Sequence, residues 1–404
     1  MIPFSPPRMD KTVTDAVTEA LMSGWITTGP RTKEFERQLS EYCGVKKSIC
    51  LNSWTNATEL FFRYWGLGPG DEVILPAYTY SATANVVVHC GAQVVLVDVD
   101  VNGLMDFSKL KAAITSKTKI IMPVDLGGLP VNYDELIRLV NEPGIKALFK
   151  GNNEMQSKLG RIMVFADAAH SIGAKKGNAM SGAFADVTGF SFHAVKNLTT
   201  GEGGALLFNL PEAFDVEEIY KALNIKSLHG QTKDAFSKTQ PGAWQYDIVE
   251  AGFKCNMTDI QAAIGLVELA RYESETLPKR KALAENYLKL LKDKSWAILP
   301  AFMNGDYETS YHLFMLKLKG FNEAMRNEVI SEMGALKIAT NVHFRPLPML
   351  SFYEAYGLRI ADYPGAYNYY ANEISLPLFY DLTFEQQEFL VKSLTEIVKK
   401  IQKS

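Results

Sequence analysis

Between about residues 45 and 210 the chain repeats one pattern: a short β-branched or aliphatic run, a turn residue, then a segment of helix length. "DEVILPA", "QVVLVDVD", "KTKIIMPVD", "RIMVFADAA", "VTGFSF" and "GGALLFN" are continuous apolar runs rather than alternating ones. Runs of this kind, bounded by turn residues, read as strands buried on both faces. Strands separated by helix-length segments predict an α/β domain whose mainly parallel sheet is covered by helices on both sides. Ligands of such sheets collect outside the carboxyl ends of the strands. Asp167, at the end of "RIMVFAD", and Tyr80, just past "DEVILPA", stand where a ligand would be.

The texture changes after about residue 257. "TDIQAAIGLVELARYE" opens with a Thr-x-x-Gln capping box, Thr258 to Gln261, and continues at helical period. A charged helix follows, then strand-like "YHLFMLKLK", another helix and "IATNVHFRPL". In the closing "TFEQQEFLVKSLTEIVKKIQKS", Thr383 and Gln386 make a second box, and Phe389, Leu390, Leu394, Ile397, Val398 and Ile401 form one apolar stripe. The expected division is a large domain over residues 1–270 and a smaller α+β domain over 271–404. The first thirty residues are expected on the surface or against a partner subunit.

Charge narrows the partners. The formal net charge is −3, with 42 basic and 45 acidic side chains, so no basic field draws the chain to nucleic acid or anionic lipid. A phosphate-bearing ligand must then be held locally. The opening "MIPFSPPRMD" lacks the pattern of a signal peptide, and the most apolar stretch, "ANVVVHCGAQVVLVDVD", is broken by His89, Gly91 and Gln93 and is too short to span a bilayer. Cys43, Cys50, Cys90 and Cys255 are scattered, as reduced core thiols are, and the histidines show no metal-ligand spacing. A cytoplasmic protein without a metal is the expectation. No Gly-x-Ser-x-Gly elbow or Cys/His pair argues for a hydrolase.

"GFSFHAVKNLTTGEGGAL", residues 189–206, sets a serine, a histidine and a lysine within six residues and then dissolves into threonines and glycines. Lys196 at the mouth of a parallel sheet is a candidate Schiff-base former, because desolvation makes its amine nucleophilic. The alternative is a solvated lysine beside a glycine-rich loop. Asp167 follows an apolar run, so its carboxylate needs a cation or several donors. It serves as a helix cap or ion pair, or it faces the ring nitrogen of pyridoxal phosphate (PLP) and keeps that nitrogen protonated. "NSWTNATEL" places small polar residues before a helical run, as a helix N-terminus offers amides to a phosphate; Thr55 is either part of that cradle or a plain N-cap. Ser191 adds a hydroxyl. Tyr80 either stacks on a flat cofactor or packs in the core. His170 bonds a phenolic oxygen or a backbone group.

Taken together, "FADAAHSIGA", "SFHAVKNLTTGEGGAL", "SGWITTGP" and "KCNMTDIQAAIG" resemble the PLP-dependent nucleotide-sugar aminotransferases of the DegT-like family, in that family's order along essentially the whole chain. The resemblance implies a PLP-dependent transferase fold like that of aspartate aminotransferase, working as a homodimer with shared active sites. It implies that Lys196 carries the cofactor, Asp167 pairs with its ring nitrogen, Tyr80 stacks on the ring and His170 lies near the phenolic oxygen. Ser191, Thr55 and the amide of Asn56 match the phosphate site, and Lys254 or Asn256 would reach the phosphate of the other subunit. Relatives often read Gly-x-Asn-x-Arg there, so which of the two makes the contact stays open. Relatives also often carry a second histidine where this chain has Pro348, whereas His343 and Phe344 match. "GWITTGP" would lie near the substrate end of the pocket, or be a packing turn around a buried Trp25.

Some relatives have histidine in place of the lysine and act as sugar dehydratases. Lysine here makes amino transfer the expected chemistry, from L-glutamate through pyridoxamine phosphate to a keto group, preferably the 4-keto, of a nucleotide-linked 6-deoxy sugar. A polysaccharide or amino-sugar pathway is implied. The alternatives are the dehydratase of the same fold and a non-catalytic regulatory member.

Overall fold

The structure, a computed structural model, describes residues 1–233 and 245–403. Its centre is a seven-stranded sheet whose order in space is Lys47–Leu51, Gly204–Phe208, Val187–Ser191, Met163–Asp167, Thr118–Ile121, Glu72–Pro76 and Gln93–Val97. All pairings are parallel except those made by Gly204–Phe208, which runs against both of its neighbours. Val73, Ile74, Leu75, Ile120, Ile121, Val164 and Phe165 are fully enclosed, as continuous apolar runs require when helices cover both faces. Six of the seven strands coincide with the apolar runs. The seventh, Lys47–Leu51, reads "KSICL" and is too short and polar at its start to signal itself, yet it packs its last four residues into the core.

Two segments distant in sequence meet at the Asp259 carboxylate. Asp259 accepts from the backbone N–H groups of Gly29 and Thr32 at 2.8 and 2.9 Å, from the Thr32 hydroxyl at 2.7 Å and from the Arg31 amide at 3.0 Å. It thus satisfies the free amides that begin the helix Pro30–Cys43, a role usually played by that helix's own cap. This is why "TTGP" and "MTDIQ" belong together. Helix Asp259–Ala270 carries the Thr258–Gln261 capping box, and Phe384–Ile401 carries that of Thr383 and Gln386.

A second sheet pairs Ala297–Ile298, Phe314–Leu318 and Glu373–Leu376 in antiparallel fashion, backed by the helices Leu277–Leu291, Glu323–Ala335 and Phe384–Ile401. Four two-residue strands join the loop after Asp167 to the segment 303–308. In the last helix Leu390, Leu394, Ile397, Val398 and Ile401 are buried, but Phe389 is exposed: it lies at the margin of the stripe and turns outward. At the amino end, Ile2 bridges to Ile338, and helix Lys11–Met22 lies against Asp259–Ala270. Among the described residues no helix is long and apolar enough to cross a membrane.

Candidate active site

The carboxyl ends of the parallel strands open onto a cavity of about 480 Å³. Asp167 ends its strand at the cavity floor and is 5% exposed. Its carboxylate accepts from the Thr83 hydroxyl at 2.7 Å and from the Ala169 amide at 3.3 Å, and no cation is hydrogen-bonded to it among the described residues. Burial outweighs those two donors and the pull of Lys196, and pushes the carboxyl up to about 6. A buried carboxylate this poorly compensated has room for a positively charged N–H.

Lys196 reaches the same cavity from a closed loop. Ser191 and Gly204 face each other across the antiparallel pair, and Phe192 and Leu198 anchor the turn in the core. The Thr199 hydroxyl donates to the Phe192 carbonyl at 3.0 Å and the Thr200 hydroxyl to that of Glu202 at 2.6 Å, so the threonines knot the loop from inside. Asn197 turns to the core, and half-buried Lys196 lines the cavity. Its amine has no hydrogen-bonded carboxylate among the described residues; burial lowers it to about 8 against the attraction of Asp167.

The helix Trp54–Trp65 points its first turn at the cavity, with Ser53, Trp54 and Thr55 in the lining. Ser53, rather than Thr55, is the N-cap: its hydroxyl accepts from the Asn56 amide at 3.1 Å. The Asn56 side chain bonds Asn52, so Asn56 is turned away while the Trp54 and Thr55 amides, lacking intrahelical acceptors, are left to an anion. The helix end comes this close to the sheet because residue 204 is glycine; a Cβ there would stand 2.3 Å from the Trp54 nitrogen. Ser191 lines the same end of the cavity.

Tyr80 lies on the rim, 61% exposed, with its ring 5.6 Å from that of Phe344. His170 is buried, and its Nδ1 accepts the Gly127 amide at 3.2 Å from a turn with positive φ at Gly127 and Gly128. The ring therefore carries its proton on Nε2, and burial holds it neutral, helped by Lys196 and His343. His312 has the opposite tautomer. Asn197 gives its amide N–H to the Ser310 carbonyl at 2.8 Å, so its oxygen accepts the His312 Nδ1–H at 2.8 Å. The two rings lie 4.3 Å apart. Asn256 stays outside the cavity of this chain; it donates to the Thr28 hydroxyl at 2.7 Å, and Lys254 bonds its oxygen. Trp25 is half-buried, its indole N–H on the Thr28 carbonyl at 3.2 Å.

The structure adds lining residues that the sequence did not announce. Phe4 and Ser5 come from the amino terminus, Thr83 lies beneath Asp167, and His312 comes from the carboxyl-terminal part, where it joins His343 and Phe344, which the resemblance had already matched. His312 hides inside the strand-like run "YHLFMLKLK", and only its place as a polar residue ahead of the apolar stretch 313–316 hinted at it.

A parallel sheet with one reversed strand, opening onto a lysine and a buried aspartate, is the frame of a PLP-dependent transferase. The DegT/DnrJ/EryC1/StrS aminotransferase family matches residues 7–150 and 153–395. Among solved structures, a putative sugar aminotransferase of Streptococcus pneumoniae in its PMP form is 43% identical and superposes with a TM-score of 0.95, covering 99% of this chain and 100% of that one. Helicobacter pylori PseC, an aminotransferase involved in the biosynthesis of pseudoaminic acid, is 26% identical with a TM-score of 0.86, covering 99% of each chain. The spore coat polysaccharide biosynthesis protein SpsC of Bacillus subtilis is 34% identical, covering 98% of this chain and 97% of its own. The chain belongs to the DegT/DnrJ/EryC1/StrS aminotransferase family. It is a PLP-dependent aminotransferase.

Proposed function

We propose that this enzyme takes an amino group from L-glutamate and gives it to a keto group, by preference the 4-keto, of a nucleotide-linked 6-deoxy sugar. The observation that carries the reading is the pairing of Lys196 with Asp167 in one cavity, the amine lowered to about 8 and the carboxylate short of a cation. The sugar and its place in polysaccharide or amino-sugar synthesis are supported by what the similar proteins are named for. Bound PLP supplies an aldehyde and an electron-withdrawing ring.

The chain's own residues do the rest. Lys196 holds the cofactor through its amine, and once freed takes the proton from the amino acid's α-carbon and later returns one to the sugar carbon. Asp167 keeps a proton on the ring nitrogen, which is the charge its burial lacks. His170, with Nε2–H, is a donor for the phenolic oxygen, and Tyr80 covers the ring. Thr55, Ser191 and the helix start near Asn56 take the phosphate. Lys254 or Asn256 completes the site of a partner copy in a homodimer.

The test is a visible absorption spectrum with PLP, before and after L-glutamate. A band that appears with PLP, bleaches with glutamate and returns with a 4-keto nucleotide sugar is the expected result. A band indifferent to glutamate would defeat the donor, and no band at all would defeat the role of Lys196.

A further inference from the structure

His343 lines the cavity with a ring that is unusually well supported from behind. Phe4 stacks on one face, with centroids 5.3 Å apart and planes inclined by 23°, and the neighbouring Phe344 meets it edge-on. Its Nδ1 lies 2.9 Å from the Ser375 hydroxyl, which is 2.6 Å from one oxygen of Glu373; the other Glu373 oxygen accepts the His343 amide at 3.1 Å. Ser375 and Glu373 are both completely buried, on one face of the strand Glu373–Leu376. The His343 Nε2 has no hydrogen-bond partner among the described residues. Glu373, Ser375 and the His343 ring thus form a single file of hydrogen bonds that ends at the cavity.

We propose that Glu373, acting through Ser375, is a proton relay that lets His343 give or take a proton at Nε2 while its ring stays neutral. With Glu373 protonated, the carboxyl donates to Ser375 Oγ, that hydroxyl donates to His343 Nδ1, and Nε2–H faces the cavity. When Nε2 releases its proton to a substrate oxygen, the serine proton passes to Nδ1 and the Glu373 proton passes to Oγ. The file then holds a neutral ring with Nδ1–H, an intact hydroxyl and a carboxylate, so one proton has left and one negative charge has appeared on Glu373. The reverse shift takes a proton up.

A histidine acting alone would do this poorly. Burial, with help from Lys196, lowers His343 to about 3, so the imidazolium is disfavoured. Glu373 is instead poised near neutrality: burial raises it to about 8 against the Ser375 hydroxyl, the His343 amide and Arg326. Arg326 stands close but spends its N–H groups on the carbonyls of Tyr370 and Glu373, both at 2.8 Å, and on Asn327. Lys317, opposite Glu373 in the strand ladder, is drawn off to the Val101 carbonyl. Tyr78 and Tyr369 also face the carboxylate, and both are held protonated by burial and by its charge. Amino transfer to a keto group expels the keto oxygen as water, so a proton donor at that oxygen serves the acceptor half of the reaction. This step rests on the function proposed above.

The test is ring-nitrogen NMR on protein carrying isotope-labelled histidine, the His343 signals being those lost in His343→Gln. Between about pH 6 and about pH 10, wild type should pass from Nε2–H to Nδ1–H as Glu373 ionises, around its value of about 8. Glu373→Gln should hold Nε2–H throughout, and Ser375→Ala should uncouple the ring from pH. Both variants should keep the glutamate half-reaction within about twofold and lose about 100-fold in the acceptor half, with a flattened pH profile, the lower end of the effect expected of a general acid–base. A wild-type tautomer that does not move with pH, or that moves alike in both variants, overturns the relay. Should Glu373→Gln not fold, Ser375→Ala decides alone. Protein that takes no PLP would sink the proposed function instead, while its ring NMR still judges the relay.

Discussion

Replacing Asp167 by asparagine should make the cofactor-free protein more stable at neutral pH even as it disables the cofactor site. The carboxyl titrates at about 6 in the folded chain against an ordinary value of 3.8. A raised carboxyl binds its proton more tightly when folded, so the group costs nothing below the unfolded value. Stability then falls as pH rises from 3.8 to about 6, and the full penalty is present above that. Roughly two pH units at about 1.4 kcal/mol each give a penalty of about 3 kcal/mol. Asparagine removes it at little structural cost. Its oxygen can accept the Ala169 amide, and its N–H₂ can donate to Thr83, whose hydroxyl turns to Thr79, 2.8 Å away. The attraction to Lys196 is already contained in the value of about 6, so the gain is about 3 kcal/mol. Urea denaturation of the two cofactor-free proteins should show that gap at about pH 8, narrowed by about 1.4 kcal/mol at about pH 5. A variant no more stable than wild type at pH 8, or a gap that ignores pH, would refute the account of a carboxylate held in want of a cation.

Further outcomes are open to direct measurement. The lowered amine of Lys196 should make the rate of PLP capture by the cofactor-free enzyme rise with pH through about 8 rather than the ordinary 10.5, as stopped-flow absorbance would read; Asp167→Asn should shift that midpoint lower, because the carboxylate is what holds it up. Lys196→Ala should abolish turnover while PLP still binds, measured by equilibrium dialysis. Gly204→Ala drives a methyl against the Trp54 backbone and should cost about 1–3 kcal/mol, lowering Tm and weakening PLP binding together. Arg161 and Asp186 form a buried two-bond pair at 2.7 Å far from the cavity, so Arg161→Ala should cost about 3–5 kcal/mol in denaturant titrations without changing the visible spectrum.

How much of this could be read from the chain depended on the range of the forces involved. Strands buried on both faces write continuous apolar runs, so six of the central seven were legible, as were the two capping boxes, whose partners lie three residues apart. Lys47–Leu51 was not, because its burial comes from a strand more than 150 residues later, paired in antiparallel register. Asp167, Lys196, His170, Ser191 and Tyr80 announced themselves by standing at or just past the ends of apolar runs and Thr55 by preceding a helical run, and the cavity gathers all six. Asn56 looked equivalent to Thr55 in sequence, but the helix turn points its amide at Ser53. Phe4, Ser375 and Glu373 left no local trace. Phe4 meets the cavity only through tertiary packing, Ser375 and Glu373 stand behind His343 rather than in the lining, and a buried glutamate inside an apolar strand reads as a misplaced surface residue.

The reversed strand Gly204–Phe208 has a kinetic meaning. Had the chain left Val187–Ser191 by another crossover helix, Lys196 would sit on a connection open at one end. Because the strand returns alongside, the loop bearing the lysine is closed at its base by the Ser191–Gly204 pairing and knotted by two threonines. The entropy of placing the amine is thus spent once, in folding, and not again in each catalytic cycle. A lysine that must be displaced and then recaptured at every turnover gains most from such tethering, since each return is a rebinding at high effective concentration rather than a search.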